Sequence, residues 1–387
     1  MKKYLFATFT LVMLWFLPAT LYAKNDAPSK PTFESADYSR GFDPLERDRG
    51  IWWTSVCQTS APTEGSINLN VNDHVTANFP SGTEQDYSIL VLNESGTDDN
   101  DMLTLGFFDP SDPSKTPRNP GQPLLQITGL KITGKPHTRS DFATIYICPK
   151  QDPQTRASAV AKLYVYVLAK RTLSLGIWRV KSHPDGNTDI PADYTAAVIW
   201  NAYLYARKAY RQACIEFTSI QNPADVTAYY DVAPSNNNAF DRDIAVELNI
   251  LDSGLPANAA KANVSIVKQF FLGGGDDSAT GGATLMASNS SQINSMALTG
   301  ALGFQPNEFD RTCAHEIGHQ LNLCLRDPNP NPQPPLLPES FLYHDTGPFP
   351  ANIYGMLYPS VSANGVLVSV WLRHQDWVSA NINASLK

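Results

Sequence analysis

The segment spanning residues 309–325 constrains the fold of this chain more than any other. It contains the pattern H-E-x-x-H, formed by His315, Glu316 and His319. On an α-helix, residues four apart lie one above the other on the same face, so both imidazoles can reach a single ion, and zinc accepts such ligands readily. Glu316 lies beside that face, where it can hold and deprotonate a metal-bound water. The segment therefore predicts a helix that carries Zn²⁺, with Glu316 as the general base.

The residues around this pattern also indicate a helix. Asp310 and Thr312 are good N-cap residues, and either one predicts that the helix begins just before the histidines. Gly318 inside the helix costs about 1 kcal/mol relative to alanine, so we attribute it to close packing rather than to helix stability. We therefore expect the pattern on a helix that packs tightly against another element.

The sequence M-L-Y-P at residues 356–359 follows a loop-like stretch downstream. Together with the H-E-x-x-H helix it resembles the metzincin metallopeptidases, whose pattern H-E-x-x-H-x-x-G-x-x-H is followed by a methionine turn beneath the metal. Met356 matches the turn methionine, and Tyr358 has the spacing of a tyrosine that hydrogen-bonds the reaction intermediate in some metzincins. The resemblance covers roughly residues 160–387. It implies a zinc-dependent endopeptidase acting on peptide or protein substrates.

Two positions depart from the metzincin pattern. Asn322 replaces the glycine, which is tolerable because asparagine enters the left-handed backbone region more readily than other non-glycine residues. Leu325 occupies the position of the third histidine and has no donor atom. The sequence therefore predicts either a different third ligand or a weak, degenerate site.

Three residues are candidates for that third ligand. Asp327 is the first choice, because residues two apart in an extended segment point to the same side and Asp327 thus shares the direction of Leu325. His344 is the second, since an adjacent carboxylate can orient its ring. Glu339 is the third, as a downstream glutamate binds the metal in thermolysin-like peptidases. The alternatives are a turn aspartate at 327 and a surface histidine at 344.

The first 23 residues predict a secretory signal. Lys2 and Lys3 precede an almost wholly apolar run at 4–17, and Ala23 offers a small residue at a cleavage site. The run is short for a spanning helix, so we expect a secreted or periplasmic protein with no stable membrane anchor. Residues 24–50, rich in polar residues, read as a linker or short pro-segment.

The composition argues against a nucleic-acid partner, but it does not determine how the cysteines pair. The formal net charge is −8, without a basic patch, so we expect no nucleic-acid binding. One or two disulfides are expected after export: Cys57 with Cys148, and Cys214 with Cys313 or Cys324, although the connectivity does not follow from sequence. The sequence does not indicate whether the chain forms oligomers.

Residues 51–155 and 160–387 differ in pattern. The first range has short strands, such as 87–92, separated by turn residues, and predicts a small all-β sandwich-like domain of unknown role. The second predicts an α/β (α+β) catalytic domain in which a mixed sheet packs on a long helix and on the zinc helix. Its expected elements are strands at 163–167, 173–177, 244–250 and 264–270, a helix opening at Pro191 whose stripe is Tyr203, Ala206, Tyr210, Ala213 and Phe217, and a closing helix at 372–382.

Residues 281–287 lie between these strands and the zinc helix. The resemblance implies an edge strand there that pairs with the main chain of a substrate, a mode of binding that needs no particular side chains. A glycine-rich surface loop is the alternative.

Two further functions compete with a metzincin-like endopeptidase. A non-catalytic binding or adhesion protein on a degenerate metallopeptidase fold explains Leu325, but it has no use for Glu316. A thermolysin-like peptidase using Glu339 is less compatible with Met356.

Overall fold

The computed structural model describes part of the chain. The described residues are 29–35, 37, 40–44, 46–58, 71–92, 101–119, 121–137, 142–182, 190–191, 196–219, 227–230, 260–267, 282–284, 290–294, 308–321, 323, 372 and 374–387. The predicted signal segment 1–23 and the predicted strand at 244–250 lie outside these ranges.

The N-terminal strands form two sheets, which we call the sheet pair. The first sheet has the order β1-β4-β7-β6, with bounds Thr32–Ser35, Val71–Asn78, Ile127–Gly134 and Leu103–Phe108. The second has the order β2-β3-β9-β8-β5, with bounds Phe42–Asp43, Ile51–Cys57, Ala161–Leu168, Ala143–Pro149 and Tyr87–Leu92. Buried side chains from both sheets share one apolar core between them.

Strand β9 belongs to two cores at once. Its residues alternate in burial along the whole strand, as the period of two in the sequence predicts. Leu163 and Val165 face the core of the sheet pair, whereas Tyr164 and Tyr166 pack against the core of the C-terminal half. The strand pairs in parallel with β3 and antiparallel with β8, although it follows the boundary expected near residue 155. The two halves of the chain therefore meet along this strand.

The C-terminal half contains a mixed sheet built around the long strand β10, Arg171–Ser182. This strand confirms the one predicted at 173–177. Three strands run parallel to it, and β11 pairs with it antiparallel. The remaining strands are β11 at Ile190–Pro191, β12 at Ile215–Ser219, β13 at Thr227–Tyr230, β14 at Ala262–Val267, β15 at Gly282–Thr284 and β16 at Ser290–Asn294.

Strand β15 is the outermost strand of the described sheet and runs antiparallel to β16. Residues 282–284 of the predicted segment 281–287 therefore form a strand, and the remainder of that segment lies outside the described residues.

The described residues include three α-helices. They are α1 at Ala196–Tyr210, α2 at Glu308–Gln320 and α3 at His374–Ala384. Helices α1 and α2 pack against each other and against the sheet, and α3 packs against β3, β9 and β10. The fold is therefore mixed α/β, dominated by strands in several sheets, as expected at that level. None of the helices in the described ranges has the length and apolar character needed to span a bilayer.

The aromatic stripe predicted for the long helix is only partly helical. Tyr203 and Tyr210 lie on α1, but Ala213 lies in a 3-10 turn and Phe217 lies on β12. The helix cannot continue because Cys214 adopts the left-handed conformation, with φ of 57°. All of these side chains are nevertheless buried in one core, because the turn returns the chain to the same side.

Among the described residues a disulfide joins the two halves, and it differs from the expected pairings. Cys57, at the end of β3, is bonded to Cys214, whereas Cys148 and Cys313 are free. The predicted Cys57–Cys148 pairing was wrong because Cys148 lies on β8, separated from β3 by β9, and packs with Leu92. The bond closes a loop of 157 residues, and such crosslinks typically add about 2–4 kcal/mol of stability.

Candidate metal centre

Helix α2 carries the whole H-E-x-x-H pattern. It begins at Glu308, so Asp310 and Thr312 lie in its first turns instead of at the predicted N-cap. Burial raises the pKa of the Asp310 carboxyl to about 6. At the other end, the backbone N–H groups of Leu321 and Leu323 both donate to the carbonyl of Gly318, at 3.0 and 2.9 Å. The helix is thus defined on both sides of the histidines.

The two histidines are brought together as the sequence predicts. Their Nε2 atoms lie 3.0 Å apart, and their rings are nearly perpendicular, at 85°. Zinc–imidazole bonds of about 2.0–2.1 Å in a tetrahedral site separate two nitrogens by about 3.3 Å. The observed spacing therefore fits two ligands of one zinc ion. Both residues are only 6% exposed.

Glu316 lies between these ligands in sequence and is 4% exposed. Its charge is felt by neighbours on two helices. Burial raises the pKa of the Cys313 thiol well above its usual value, with Asp310 and Glu316 adding to the effect. Burial likewise raises the pKa of Tyr210, and the charges of Asp376 and Glu316 contribute further. Cys313 is consequently a neutral core residue.

The described residues do not supply a third ligand. Within the described ranges, no group of three or more His, Cys, Asp or Glu side chains is arranged to hold a metal ion. The other site residues predicted from sequence lie outside those ranges: Asn322, Leu325, Asp327, Glu339, His344, Met356 and Tyr358.

Two contacts that the sequence reasoning missed fix the position of helix α2. The phenol of Tyr210 donates a hydrogen bond to the carbonyl of Ala314, at 2.7 Å, and Gln320 Nε2 donates to the carbonyl of Asn263 on β14, at 2.7 Å. The sequence pattern assigns Tyr210 only to the core, although a buried tyrosine hydroxyl needs a partner, so a tyrosine in an apolar stripe is a signal of such a bond. Nothing in the sequence pattern points to Gln320.

Comparison with known proteins identifies neither a family nor a shared fold. No known protein family matches the chain, and no curated protein matches it. One similar solved structure is described as "Structure of a chaperone-substrate complex", with 14% sequence identity and a TM-score of 0.26. The match covers 66% of this chain and 38% of that chain. A TM-score of this size identifies no shared fold.

The metzincin resemblance is therefore wrong as a family assignment. No family matches the chain, the described helices are few and short, and no set of three ligands surrounds the H-E-x-x-H helix within the described residues. The physical reason is that five residues on a helix specify the direction of two imidazoles and one carboxylate, but not the remainder of a site. Leu325, which lacks a donor atom, already breaks the family's pattern.

Proposed function

We propose that this chain is an exported, zinc-dependent endopeptidase in which Glu316 is the general base. One observation carries the proposal: the Nε2 atoms of His315 and His319 lie 3.0 Å apart on a buried helix that also bears Glu316. This spacing is close to the roughly 3.3 Å expected for two imidazole ligands of one tetrahedral zinc ion. A carboxylate in the same turn provides the base that peptide hydrolysis needs.

Each of these residues has its own proposed role. His315 and His319 hold the metal, with Asp327 as the proposed third ligand and His344 as the alternative. Zinc, when bound, lowers the pKa of a coordinated water to about 7 and polarises the substrate carbonyl. Glu316 accepts the proton of the attacking water and delivers it to the leaving amine. Tyr358 is proposed to donate a hydrogen bond to the developing oxyanion.

The position of Glu316 supports its assignment as the base. It follows His315 directly on helix α2 and is 4% exposed. It therefore lies beside the proposed ligands, where the carboxylate of an H-E-x-x-H helix can deprotonate a metal-bound water.

The place of strand β15 at the edge of the described sheet supports a peptide substrate. This strand is the outermost of the described sheet and lies against helix α2. We propose that a substrate main chain adds to the sheet there and is thereby placed beside the metal, since backbone pairing supplies affinity without specific side chains.

Export is supported by the disulfide between Cys57 and Cys214. Such bonds form and persist mainly in oxidising compartments, which agrees with the signal predicted at residues 1–23.

A non-catalytic binding protein is the second candidate, and one observation favours it. His315 and His319 are close enough for one Nε2–H to donate to the other Nε2, at 3.0 Å, so the pair can satisfy itself without a metal. No set of three metal ligands is present among the described residues. In that case the fold would serve adhesion or inhibition.

The two candidates are separated by metal content and proteolysis. Purified protein should contain close to one zinc per chain and should cleave unfolded casein. The chelator 1,10-phenanthroline should abolish cleavage, while its non-chelating isomer 1,7-phenanthroline at the same concentration should not. Protein that neither contains zinc nor takes it up on titration would overturn the proposal in favour of the binding protein.

A further inference from the structure

Helices α1 and α2 are joined by a buried hydrogen bond next to the proposed metal ligands. Tyr210, the last residue of α1, is fully buried, and its hydroxyl donates to the carbonyl of Ala314 at 2.7 Å. Ala314 immediately precedes His315 in α2. The phenol therefore contacts the turn of the helix that carries His315 and Glu316.

This bond adds to the helix and does not replace one of its own bonds. In an α-helix the carbonyl of residue 314 accepts from the N–H of residue 318, which is Gly318 here. A carbonyl oxygen has two lone pairs, so the phenol can take the second one.

Tyr210 is itself held firmly. Its ring meets the ring of Phe217 edge to face, with centroids 5.4 Å apart. The turn that follows α1 is linked to the sheet pair, because Cys214 forms a disulfide bond with Cys57. The carbonyl of Gln212 accepts a hydrogen bond from Ser55 Oγ, at 2.7 Å. The end of α1 is therefore a fixed point relative to which α2 can be located.

We propose that Tyr210 is a positioning residue for the metal centre: its hydrogen bond to Ala314 sets the rotation of α2 against α1 and thereby the direction in which the imidazoles of His315 and His319 project. The part of this role that concerns the metal rests on the proposed function. The part that concerns the placement of the imidazoles does not, because it is a property of the metal-free protein.

Tyr203 provides a matched control on the same helix. It is also buried, and its hydroxyl also donates to a main-chain carbonyl, that of Phe217, at 3.0 Å. Its partner lies on strand β12 and not on α2. Tyr203→Phe and Tyr210→Phe therefore remove the same chemical group from similar environments, but only the second removes a contact with the metal helix.

The test compares these two variants with the natural protein in two measurements. The first is the ¹H–¹⁵N spectrum of histidine-labelled, metal-free protein, which reports the environment of each imidazole. The second is zinc affinity, measured by competition with a chromophoric chelator, together with kcat and KM for a casein-derived peptide. Thermal unfolding of both variants shows whether each retains its fold.

Tyr210→Phe should shift the imidazole resonances of His315 and His319 and weaken zinc binding about tenfold or more, the range found for residues that orient metal ligands. It should lower kcat with little change in KM. Tyr203→Phe should leave all of these unchanged. Unshifted resonances and unchanged zinc affinity in Tyr210→Phe, or equal effects of both variants, would overturn the proposal while leaving the proposed function intact. Shifted resonances in a protein that binds no zinc would support the positioning role and refute the proposed function.

Discussion

The carboxylate of Asp43 accepts two hydrogen bonds from His374, although the two residues are 331 positions apart. Its Oδ2 atom lies 2.7 Å from the ring Nδ1 and 3.0 Å from the backbone nitrogen of His374. Because His374 is the first residue of α3, Asp43 acts as an N-terminal cap supplied by a distant strand. The negative charge is also favourable at that end of the helix dipole.

Trp53 also contacts His374. Its ring is stacked on the imidazole of His374, with centroids 4.1 Å apart and planes at 2°. The indole N–H donates to Glu46 Oε2 at 2.6 Å. Residues of strands β2 and β3 therefore contact the start of helix α3. This contact is a second link between the sheet pair and the C-terminal half, besides the disulfide.

Asp43→Asn is predicted to destabilise the protein. Asp43 is 0% exposed, and the uncharged asparagine amide is a weaker hydrogen-bond acceptor than the carboxylate. We expect a loss of about 1–3 kcal/mol in the free energy of unfolding, the usual cost of impairing a buried charge-assisted hydrogen bond. Urea titration measures it. Asp48→Asn is the control: Asp48 is exposed, so its change should stay within about 0.5 kcal/mol. Equal effects would show that the Asp43 contact contributes nothing.

His74 is predicted to make the protein acid-sensitive. Burial, with a smaller contribution from the charge of Arg40, lowers its pKa from 6.5 to about 3, and its Nδ1 lies 2.9 Å from Ser35 Oγ. Between these two pH values the unfolded chain binds the proton and the folded chain does not. Stability due to His74 is therefore complete above pH 6.5 and falls as the pH is lowered, by up to about 1.4 kcal/mol per pH unit.

The corresponding variant is His74→Asn, which keeps a polar atom near the Nδ1 position and does not titrate. Urea unfolding at pH 7 and pH 4.5 should show that the natural protein loses about 2–3 kcal/mol more than the variant over this interval. Parallel losses in the two proteins would mean that His74 is protonated in the folded state.

Local patterns predicted several elements correctly, although Pro191 lies on strand β11 and helix α1 begins only at Ala196. The alternation of Leu163, Tyr164 and Val165 gave strand β9, and the spacing of His315 and His319 gave a helix with both imidazoles on one face. Each of these depends only on the geometry of one element, with a period of two for strands and four-residue neighbours for helices.

Such local patterns do not predict which distant elements contact each other. Cys57 pairs with Cys214 because β9 places the end of β3 beside the turn after α1, which no spacing along the chain reveals. The cap between Asp43 and His374 has the same origin. The metzincin assignment failed for a related reason, since it extended a local five-residue motif to a complete ligand set.

Glu316→Gln is predicted to separate binding from catalysis. The substitution removes a base but not a proposed ligand, so the variant should retain its zinc and its fold. Its kcat for casein cleavage should fall by about 10²- to 10⁴-fold, the usual contribution of a general base. His315→Ala should instead lose the metal, as measured by atomic emission after dialysis. Unchanged turnover in Glu316→Gln would remove Glu316 from the mechanism.

The third ligand can be identified by substitution at the two proposed positions. Asp327 and His344 both lie outside the described residues, so zinc affinity is the direct measurement. If Asp327 completes the site with His315 and His319, Asp327→Ala should weaken zinc binding by about tenfold or more, whereas His344→Ala should leave it nearly unchanged. Cobalt in place of zinc provides a second measurement, because loss of one protein ligand alters the visible spectrum of the bound ion. A normal affinity in Asp327→Ala together with a large loss in His344→Ala would exchange the two assignments, and normal affinity in both variants would eliminate both.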